Sequence, residues 1–168
     1  KITDKADTSS SDAQNDNNAK LTTTVDAKGE RHDKLDYTFT PDKDAVGEWK
    51  NVGWYENPKK FYPDESSTQN QWFDGISIYS DGTMTTHLIQ GDDKHRNDVT
   101  GLHWTYGYFV DLMTSSGLDV VPAYFNEEIN GKMYLFMEWK SMDYVKSGDI
   151  TYYVFEKVSD TPAEKTTK

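Results

Sequence analysis

Two aromatic segments close this chain and constrain its fold more than any other feature. They are residues 130–144, NGKMYLFMEWKSMDY, and residues 150–155, ITYYVF. The Asn130-Gly131 pair favours a tight hairpin, because both turn positions need φ > 0, and β-branched and aromatic residues suit a pleated, half-buried surface. Two such strands need a curved sheet to pack against. The sequence therefore predicts a β-barrel or a β-sandwich.

Further strands are predicted upstream of these segments. Residues 72–79 and 83–89 flank Asp81-Gly82, a pair that fits a hairpin turn. The other predicted strands are residues 46–55, 102–110 and 120–125. Because the loops are short and helical periodicity is absent, we expect seven or eight antiparallel strands in a meander that closes on itself. The predicted fold class is all-β, an up-and-down β-barrel.

The distribution of apolar residues predicts one folded body with polar ends. Up to residue 33, the only large aliphatic side chains are Ile2, Leu21 and Val25. These are too few to offset the roughly 1–2 kcal/mol per residue that ordering a backbone costs. The predicted units are a disordered polar tether over residues 1–34, a barrel over residues 35–158 and a frayed polar tail over residues 159–168.

Charge and composition exclude several classes of partner and site. The formal net charge is -11 at pH 7, which repels a phosphate backbone and opposes adhesion to anionic lipid headgroups. The chain has no cysteine, so disulfides, thiolate nucleophiles and cysteine-based zinc sites are excluded. No apolar run is long enough to span a bilayer. We expect no nucleic-acid partner and no transmembrane segment in this chain.

Three local patterns occur together in the predicted barrel. Gly47-Glu48-Trp49 opens its first strand, and Trp104-Thr105-Tyr106-Gly107 lies in its middle. Near its end, YLFMEWKSMDY at residues 134–144 precedes YYVFEK at residues 152–157. Over about residues 37–158 the chain thereby resembles the lipocalin-like domain of Gram-positive bacteria. That domain occurs as a secreted or lipid-anchored protein and is also appended to antirepressor-type membrane metallopeptidase regulators.

The resemblance implies a fold, a role and a location. It implies an up-and-down barrel with an internal cavity that binds a small molecule, which we expect to be apolar or amphipathic, and it implies no catalysis. No cofactor is expected. It also implies an extracellular protein, anchored at the cell surface through a segment missing from this chain. The polar residues 8–18, TSSSDAQNDNN, are typical of exported bacterial proteins, with a cytoplasmic protein as the alternative.

Aromatic side chains in the predicted barrel are more numerous than a small solid core needs. We therefore expect several of them to face a cavity or an exposed binding surface. The candidate ligand-binding residues are Trp104, Tyr106, Tyr108, Tyr124, Tyr134, Phe136, Trp139 and Tyr153. Each of them, taken alone, also fits a place in the core. The predicted mechanism is burial of apolar ligand surface, at about 25 cal/mol per Å².

Gly47 and Trp49 are expected to be structural. Trp49 would plug one end of the barrel, with Lys157 or Lys140 over its ring in a cation–π contact; a place in the ligand cavity is the alternative. Strict alternation along residues 46–55 puts Trp49 and Trp54 on opposite faces of the strand. Both faces of this strand are therefore expected to carry aromatic residues.

Neither a metal centre nor a catalytic site is predicted. His87, His95 and His103 lie around the polar run 91–98, which we expect to be a solvated loop, and their spacing matches no metal-ligand frame. The sequence shows no Ser-His-Asp order, nucleophile elbow or glycine-rich phosphate loop.

Two alternatives to a ligand carrier remain open. The first is a cell-surface interaction or sensor module, whose outward aromatic and acidic groups engage an envelope protein. The second is a hydrolase acting through Glu138 and Asp143. Against the second, Glu138 is expected to be structural and to pair with Lys140 or with a cation on a neighbouring strand.

Overall fold

The computed structural model of the protein describes residues 19–63, 65, 73–90 and 95–165. Most of this part of the chain is β-structure. The strands are β1 (Lys20–Val25), β2 (Arg31–Asp36), β3 (Gly47–Tyr55), β4 (Phe73–Ile78), β5 (Thr83–Gln90), β6 (His95–Thr105), β7 (Tyr108–Phe109), β8 (Tyr124–Ile129), β9 (Lys132–Trp139) and β10 (Thr151–Ser159). Helix α1 spans Met142–Ser147, and single 3-10 turns cover Pro58–Lys60 and Thr114–Ser116.

One antiparallel sheet of eight strands curves into a nearly closed barrel. The order in space is β7-β6-β5-β4-β3-β10-β9-β8, so the meander that begins at β3 returns to it at β10. β3 and β10 pair from Tyr55 opposite Tyr152 to Glu48 opposite Ser159. The prediction of an antiparallel up-and-down β-barrel with seven or eight strands is confirmed.

β7 and β8 meet at a short seam. β7 has only two residues, and a bridge between Tyr108 and Ala123 joins it to the chain just before β8. At the seam, the Tyr124 amide donates to the Gly107 carbonyl at 2.9 Å. Beyond this point β8 is the last strand of the sheet among the residues that the structure describes, and no described strand pairs with this part of its edge.

Both predicted hairpins are present, but only Asn130-Gly131 forms a primed turn; at Asp81-Gly82 only Gly82 is left-handed, with φ of 92°, and the Tyr79 amide donates to the Thr83 carbonyl across a three-residue loop. Between β8 and β9, Asn130 and Gly131 have φ values of 54° and 82°, the left-handed conformations that a type I′ turn needs. Between β4 and β5, the Asp81 carboxylate accepts hydrogen bonds from the Thr83 amide at 3.0 Å and the Thr83 hydroxyl at 2.7 Å. These local contacts help to set the register of both strand pairs.

A bulge in β3 changes which side chains face the interior. The Gly53 amide donates to Asn51 Oδ1 at 2.6 Å, and Asn51 Nδ2 donates to the Phe73 carbonyl. The register with β10 shifts at this point, so that Trp54 lies opposite Tyr153 and packs against the main core, which also contains Trp49. The expectation that Trp49 and Trp54 face opposite ways is wrong, because the bulge adds a residue to the alternation.

Trp49 lies at the plugged end of the barrel, where β3 begins. Its side chain is 1% exposed, and its Nε1 donates to the Ala45 carbonyl at 2.8 Å. Lys157 Nζ lies 5.3 Å from the ring centroid, which is the cation–π contact predicted from the sequence. Gly47 lets the end of β10 approach closely, since a Cβ on Gly47 would lie 2.5 Å from the Ser159 carbonyl oxygen.

The predicted disordered tether is wrong for residues 20–34. These residues belong to the antiparallel hairpin of β1 and β2, and the Asp33 amide donates to the Asp119 carbonyl at 2.8 Å. Counting aliphatic side chains missed the hairpin because buried polar groups, described below, fasten it to the barrel. Residues 1–18 lie outside the described part of the chain.

Three other boundaries differ from the predictions. The first aromatic segment stops being a strand at Trp139, and α1 follows because Ser141 Oγ accepts a hydrogen bond from the Asp143 amide and caps the helix. Gly107, with φ of 89°, allows a tight turn that separates β6 from β7. Residues 95–98 begin β6 instead of forming a loop, and residues 91–94 lie outside the described residues.

The C-terminal tail is ordered against the barrel as far as residue 165, where a frayed end was expected. β10 continues to Ser159, and the Tyr79 hydroxyl donates to the Ala163 carbonyl at 2.7 Å. Hydrogen bonds between the tail and the outside of the barrel explain the difference, because they hold the tail in place without apolar residues. Residues 166–168 lie outside the description.

Gly47→Ala is expected to lower the free energy of unfolding by more than about 2 kcal/mol, because the new Cβ combines an unfavourable φ with a clash against the backbone of β10. Gly29→Ala is the matched control: its φ is +83° with nothing within 4 Å of the new Cβ, so about 1 kcal/mol is expected. Urea denaturation measures both. Equal losses would contradict a close approach at Gly47.

Candidate functional site

Four aromatic side chains meet inside the barrel where β3 ends and β10 begins. Trp54, Phe73, Trp139 and Tyr153 define this aromatic end. The Phe73 ring centroid lies 6.2 Å from that of Trp139 and 5.3 Å from that of Tyr153, and Trp139 lies 5.1 Å from Tyr153. Because β3 and β10 separate β4 from β9 in the sheet, the contact between Phe73 and Trp139 crosses the interior.

The aromatic end keeps exposed apolar surface. Trp54 and Trp139 are half-buried, whereas Phe73 and Tyr153 are buried. Trp54 Nε1 donates to Thr151 Oγ1 at 3.0 Å, which orients the indole. Burial raises the pKa of Tyr153 to about 12, so its hydroxyl keeps its proton at neutral pH. The end can therefore take an apolar molecule against its rings.

Five apolar side chains in the barrel interior beyond the aromatic end have no contact with water. Ile76, Ile78, Met84, Leu135 and Phe155 are all 0% exposed. A hollow that admits water leaves exposed surface on the residues around it, so no such hollow borders these five. The internal cavity expected from the sequence is therefore absent around these five residues. The tryptophan side chains that face the interior and keep exposed surface lie at the aromatic end instead.

The structure brings two of the candidate ligand-binding residues, Trp139 and Tyr153, to the aromatic end. Tyr124 also faces the interior, close to the β7–β8 seam. Tyr134 and Phe136 face outward and belong to a second apolar cluster with Phe61. Sequence reasoning did not select Trp54 or Phe73; the bulge that turns Trp54 inward has no plain sequence signal.

The other three candidates lie on or beside β6 and β7, at the end where Trp49 is found. Trp104 is 0% exposed, and its Nε1 donates to the Tyr79 carbonyl at 2.8 Å. Tyr106 is exposed in the turn between the two strands, and Tyr108 is half-buried. None of these three residues belongs to the aromatic end.

A small polar group lies next to the β7–β8 seam. The Tyr124 hydroxyl donates to Asp42 Oδ2 at 2.9 Å, and Asn126 Nδ2 donates to the same oxygen at 3.2 Å. Burial, with the Asp42 carboxylate, raises the pKa of Tyr124 well above its usual value, so the hydroxyl remains a donor. Asn126 Oδ1 is buried, and among the described residues it has no hydrogen-bond partner.

A buried ion pair fastens the β1–β2 hairpin to the barrel. Lys140 Nζ lies 2.8 Å from Asp33 Oδ2, with side-chain exposures of 3% and 0%. Asp33 also accepts hydrogen bonds from the Tyr144 hydroxyl and the Val121 amide, both at 2.9 Å. Lys140 Nζ lies 3.7 Å from Glu138 Oε1, so the predicted pairing of Glu138 with Lys140 is present.

Opposing effects set the charge of this pair. Burial alone would raise the pKa of Asp33, but hydrogen bonds from Lys140 and the Val121 amide outweigh it and lower that pKa. Burial alone would lower the pKa of Lys140, but the Asp33 and Glu138 carboxylates outweigh it and raise that pKa. Both groups stay charged at neutral pH. Their position between hairpin and barrel gives them a structural role.

Ser77, His87 and Asp98 form a hydrogen-bonded row on the outer face of the barrel. Ser77 Oγ lies 2.8 Å from His87 Nε2, and His87 Nδ1 lies 2.9 Å from Asp98 Oδ1. These spacings are those of a serine nucleophile, its base and an orienting carboxylate. Strand register creates the row, since β5 lies between β4 and β6 and His87 pairs with Asp98. His87 is a buried residue of the strand predicted over residues 83–89, whereas Asp98, which was expected in the polar loop, lies on β6.

Glu48 changes the chemistry of this row. Ser77 Oγ donates to Glu48 Oε1 at 2.6 Å, and Glu48 Oε2 lies 3.3 Å from His87 Nε2. The one serine proton thus goes to a carboxylate instead of the imidazole. The His87 ring thus lies between two carboxylates, with Asp98 at Nδ1 and Glu48 near Nε2. Ser77 is also 0% exposed. We term the four residues Glu48, Ser77, His87 and Asp98 the outer polar cluster. Its geometry fits a structural hydrogen-bonded network better than a site with a serine nucleophile.

The C-terminal segment covers the outer polar cluster. The Ala163 amide donates to Glu48 Oε1 at 2.8 Å, and Lys165 Nζ lies 5.0 Å from the Tyr79 ring centroid. Burial alone would raise the pKa of Glu48, but hydrogen bonds from His87, Ser77 and the Ala163 amide outweigh it and lower that pKa. The ionised carboxylate therefore holds the tail to the barrel.

Comparison of the chain with protein-family models, curated proteins and solved structures gives no match. Within the described ranges, no group of His, Asp or Glu side chains is arranged to hold a metal ion. Nor does any helix in those ranges have the length and apolar character needed to cross a bilayer. The function of the protein is inferred below from its geometry.

Lys140→Met is expected to lower the free energy of unfolding by about 3–5 kcal/mol at pH 7, because it leaves Asp33 buried without its cation. The folded-state pKa of Asp33 is lowered, so its contribution is present above the unfolded pKa and is lost as pH falls through the folded pKa. The difference between wild type and variant should therefore shrink in acid. Urea denaturation at several pH values measures it.

Lys132→Met is the matched control, because Lys132 pairs with Glu156 at 3.4 Å while remaining 61% exposed. An exposed pair contributes no more than about 1 kcal/mol. Similar losses for the two variants would contradict the role assigned to the buried pair. Asp33→Asn combined with Lys140→Met should cost less than the sum of the single changes, since the two residues interact.

Glu48→Ala is expected to speed hydrogen exchange at the Ala163 amide by about tenfold or more, because a hydrogen bond to a charged group is lost. The same release should occur in the wild type as pH falls through the lowered pKa of Glu48. Exchange followed by NMR measures it, with Glu156→Ala as the control that removes a carboxylate from the same barrel. Unchanged exchange at Ala163 in Glu48→Ala would contradict the assigned contact.

Proposed function

We propose that this protein is a non-catalytic binding protein that holds a small apolar or amphipathic molecule at the aromatic end of its barrel. The observation that carries the proposal is the half-buried state of Trp54 and Trp139 beside Phe73 and Tyr153. Large aromatic rings left partly open at one end of the barrel lose water when a ligand covers them. Mouths of β-barrels are also a common place for small-molecule sites.

The energetic basis of the proposed binding is apolar burial. Each Å² of apolar surface removed from water contributes about 25 cal/mol, and the two indoles offer most of the open ring surface at this end. The edge-to-face arrangement of Trp139 on Tyr153, with an interplanar angle of 77°, holds the rings in place before a ligand arrives. Preformed rings reduce the ordering cost of binding.

The proposal includes an extracellular, cell-surface location and kinship with lipocalin-like domains of Gram-positive bacteria. Its support is the sequence resemblance, together with an eight-stranded up-and-down barrel of the kind that the resemblance implies. The Gly47-Glu48-Trp49 motif closes one end of that barrel under Lys157, which agrees with the same resemblance.

The absence of catalysis is also part of the proposal. The serine of the outer polar cluster is covered and gives its proton to Glu48. Glu138, a candidate acid in the hydrolase alternative, accepts a hydrogen bond from the Ala123 amide at 3.0 Å and pairs with Lys140. Asp143 is exposed in the first turn of α1. Glu138 therefore has structural partners and Asp143 faces solvent. Their positions are explained without a catalytic cleft shared by the two carboxylates.

Titration with the uncharged fluorophore N-phenyl-1-naphthylamine tests the proposal, because a net charge of -11 would repel anionic dyes. Saturable binding is expected, and Trp139→Ala should weaken it by about tenfold or more, since a large apolar contact surface is removed. Trp54→Ala is a second variant on the other side of the same end. Circular dichroism confirms that each variant is folded.

Phe125→Ala is the matched control, because Phe125 is an aromatic residue on the outer face with 42% exposure. Its binding curve should equal that of the wild type. Absence of saturable binding to the wild type would overturn the proposal. So would equal weakening by Phe125→Ala and Trp139→Ala, since the dye would then be adsorbing to exposed rings in general.

A further inference from the structure

The free edge of β8 is the strongest unassigned feature of the molecule. β8 is the last strand of the sheet and pairs with β9 on one side only, from Tyr124 opposite Met137 to Ile129 opposite Lys132. Among the described residues, its other side meets the sheet only around Tyr108 and Ala123. The rest of that side presents main-chain groups that an added strand could pair with.

Hydrogen bonds at the start of β8 show which amides face this edge. The Glu138 amide donates to the Ala123 carbonyl, whereas the Tyr124 amide donates across the seam to the Gly107 carbonyl. Because main-chain groups alternate in direction along a strand, the Asn126 and Glu128 amides and carbonyls point away from β9, toward the free edge. Those of Phe125 and Glu127 point toward β9.

The side chains around this edge are acidic and aromatic. Glu127 and Glu128 are exposed, and in the described part of the chain neither carboxylate has an ion-pair partner. Phe125 is 42% exposed, and it stacks on Phe136 with a centroid distance of 4.8 Å and an interplanar angle of 4°. On the opposite face of the strand, Asn126 Oδ1 lacks a hydrogen-bond donor among the described residues.

We propose that the β8 edge binds an extended basic peptide segment of a partner protein, which adds to the sheet as a further antiparallel or parallel strand. The Asn126 and Glu128 main chains would supply the hydrogen bonds. Lysine or arginine side chains of the peptide would face Glu127 and Glu128, and an apolar side chain would cover Phe125. This surface is separate from the aromatic end, so it adds a second binding role to the proposed function.

Charge argues against a second copy of this chain at the same edge. Antiparallel pairing of β8 with itself would bring Glu127 and Glu128 of both copies together, and like charges directly opposite each other are destabilising. Each copy also has a net charge of -11. The acidic side chains thus oppose self-pairing while attracting a basic strand.

Hydrogen exchange of the full chain, followed by NMR, tests the proposal with a synthetic peptide of repeated Lys-Lys-Val-Val, which as a strand presents both lysine and valine on each face. The peptide should slow exchange at the Asn126 and Glu128 amides, while those of Phe125 and Glu127, already bonded to β9, change little. This alternating pattern is the signature of an added strand. A peptide of equal charge with proline in place of the valines should give no protection, because on either side of the strand every second residue then lacks its donor and a continuous ladder cannot form.

Charge variants test the recognition without altering the backbone. Glu127→Gln combined with Glu128→Gln should weaken peptide binding by about tenfold. The control, Asp143→Asn combined with Asp149→Asn, removes the same charge from exposed positions in and beside α1 and should leave affinity unchanged.

Three results would overturn the proposal: no protection at Asn126 and Glu128, equal binding of the proline peptide, or equal weakening by the two double variants. Protection of the same amides in peptide-free protein that rises with protein concentration would instead identify a second copy as the occupant and also overturn it. Dye binding at the aromatic end is measured separately in the same samples. Failure of one site therefore does not count against the other.

Discussion

The pairing of β3 with β10 is the constraint on which the rest of the structure depends. It joins the first strand of the meander to its last and converts a curved sheet with two long free edges into a barrel. The same pairing places Lys157 over Trp49 at one end and Trp54 opposite Tyr153 at the other. The plugged end and the aromatic end are thus built by one strand pair.

The parts of the fold that depend on local rules could be predicted from the sequence. Alternating apolar residues, with Asp81-Gly82 and Asn130-Gly131 as turns, were sufficient for the antiparallel meander and its closure. The β1–β2 hairpin was missed because its attachment depends on Asp33 and Lys140, which are 107 positions apart. Composition carries no information about a contact of that kind, since two charged residues in a polar segment usually remain solvated.

The candidate site was only partly predictable for a different reason. β9 carries aromatic residues on both faces, and a second apolar cluster containing Phe61 covers the outside of Tyr134 and Phe136. Alternation alone therefore could not tell which ring faces the interior. On β3, the bulge next to Asn51 reverses the alternation before Trp54. In the outer polar cluster, Ser77 and His87 meet only through strand register, which sequence order does not reveal.

Three carboxylates fasten the segments outside the meander, and each does so by accepting several hydrogen bonds. Asp33 holds the β1–β2 hairpin, Asp42 joins the chain before β3 to β8, and Glu48 holds the C-terminal segment. Directional bonds fix these segments without covering large apolar areas. For that reason, none of these three segments pairs with the edge of β8 beyond its seam with β7. The surfaces best suited to outside partners are those that the barrel did not need for its own assembly.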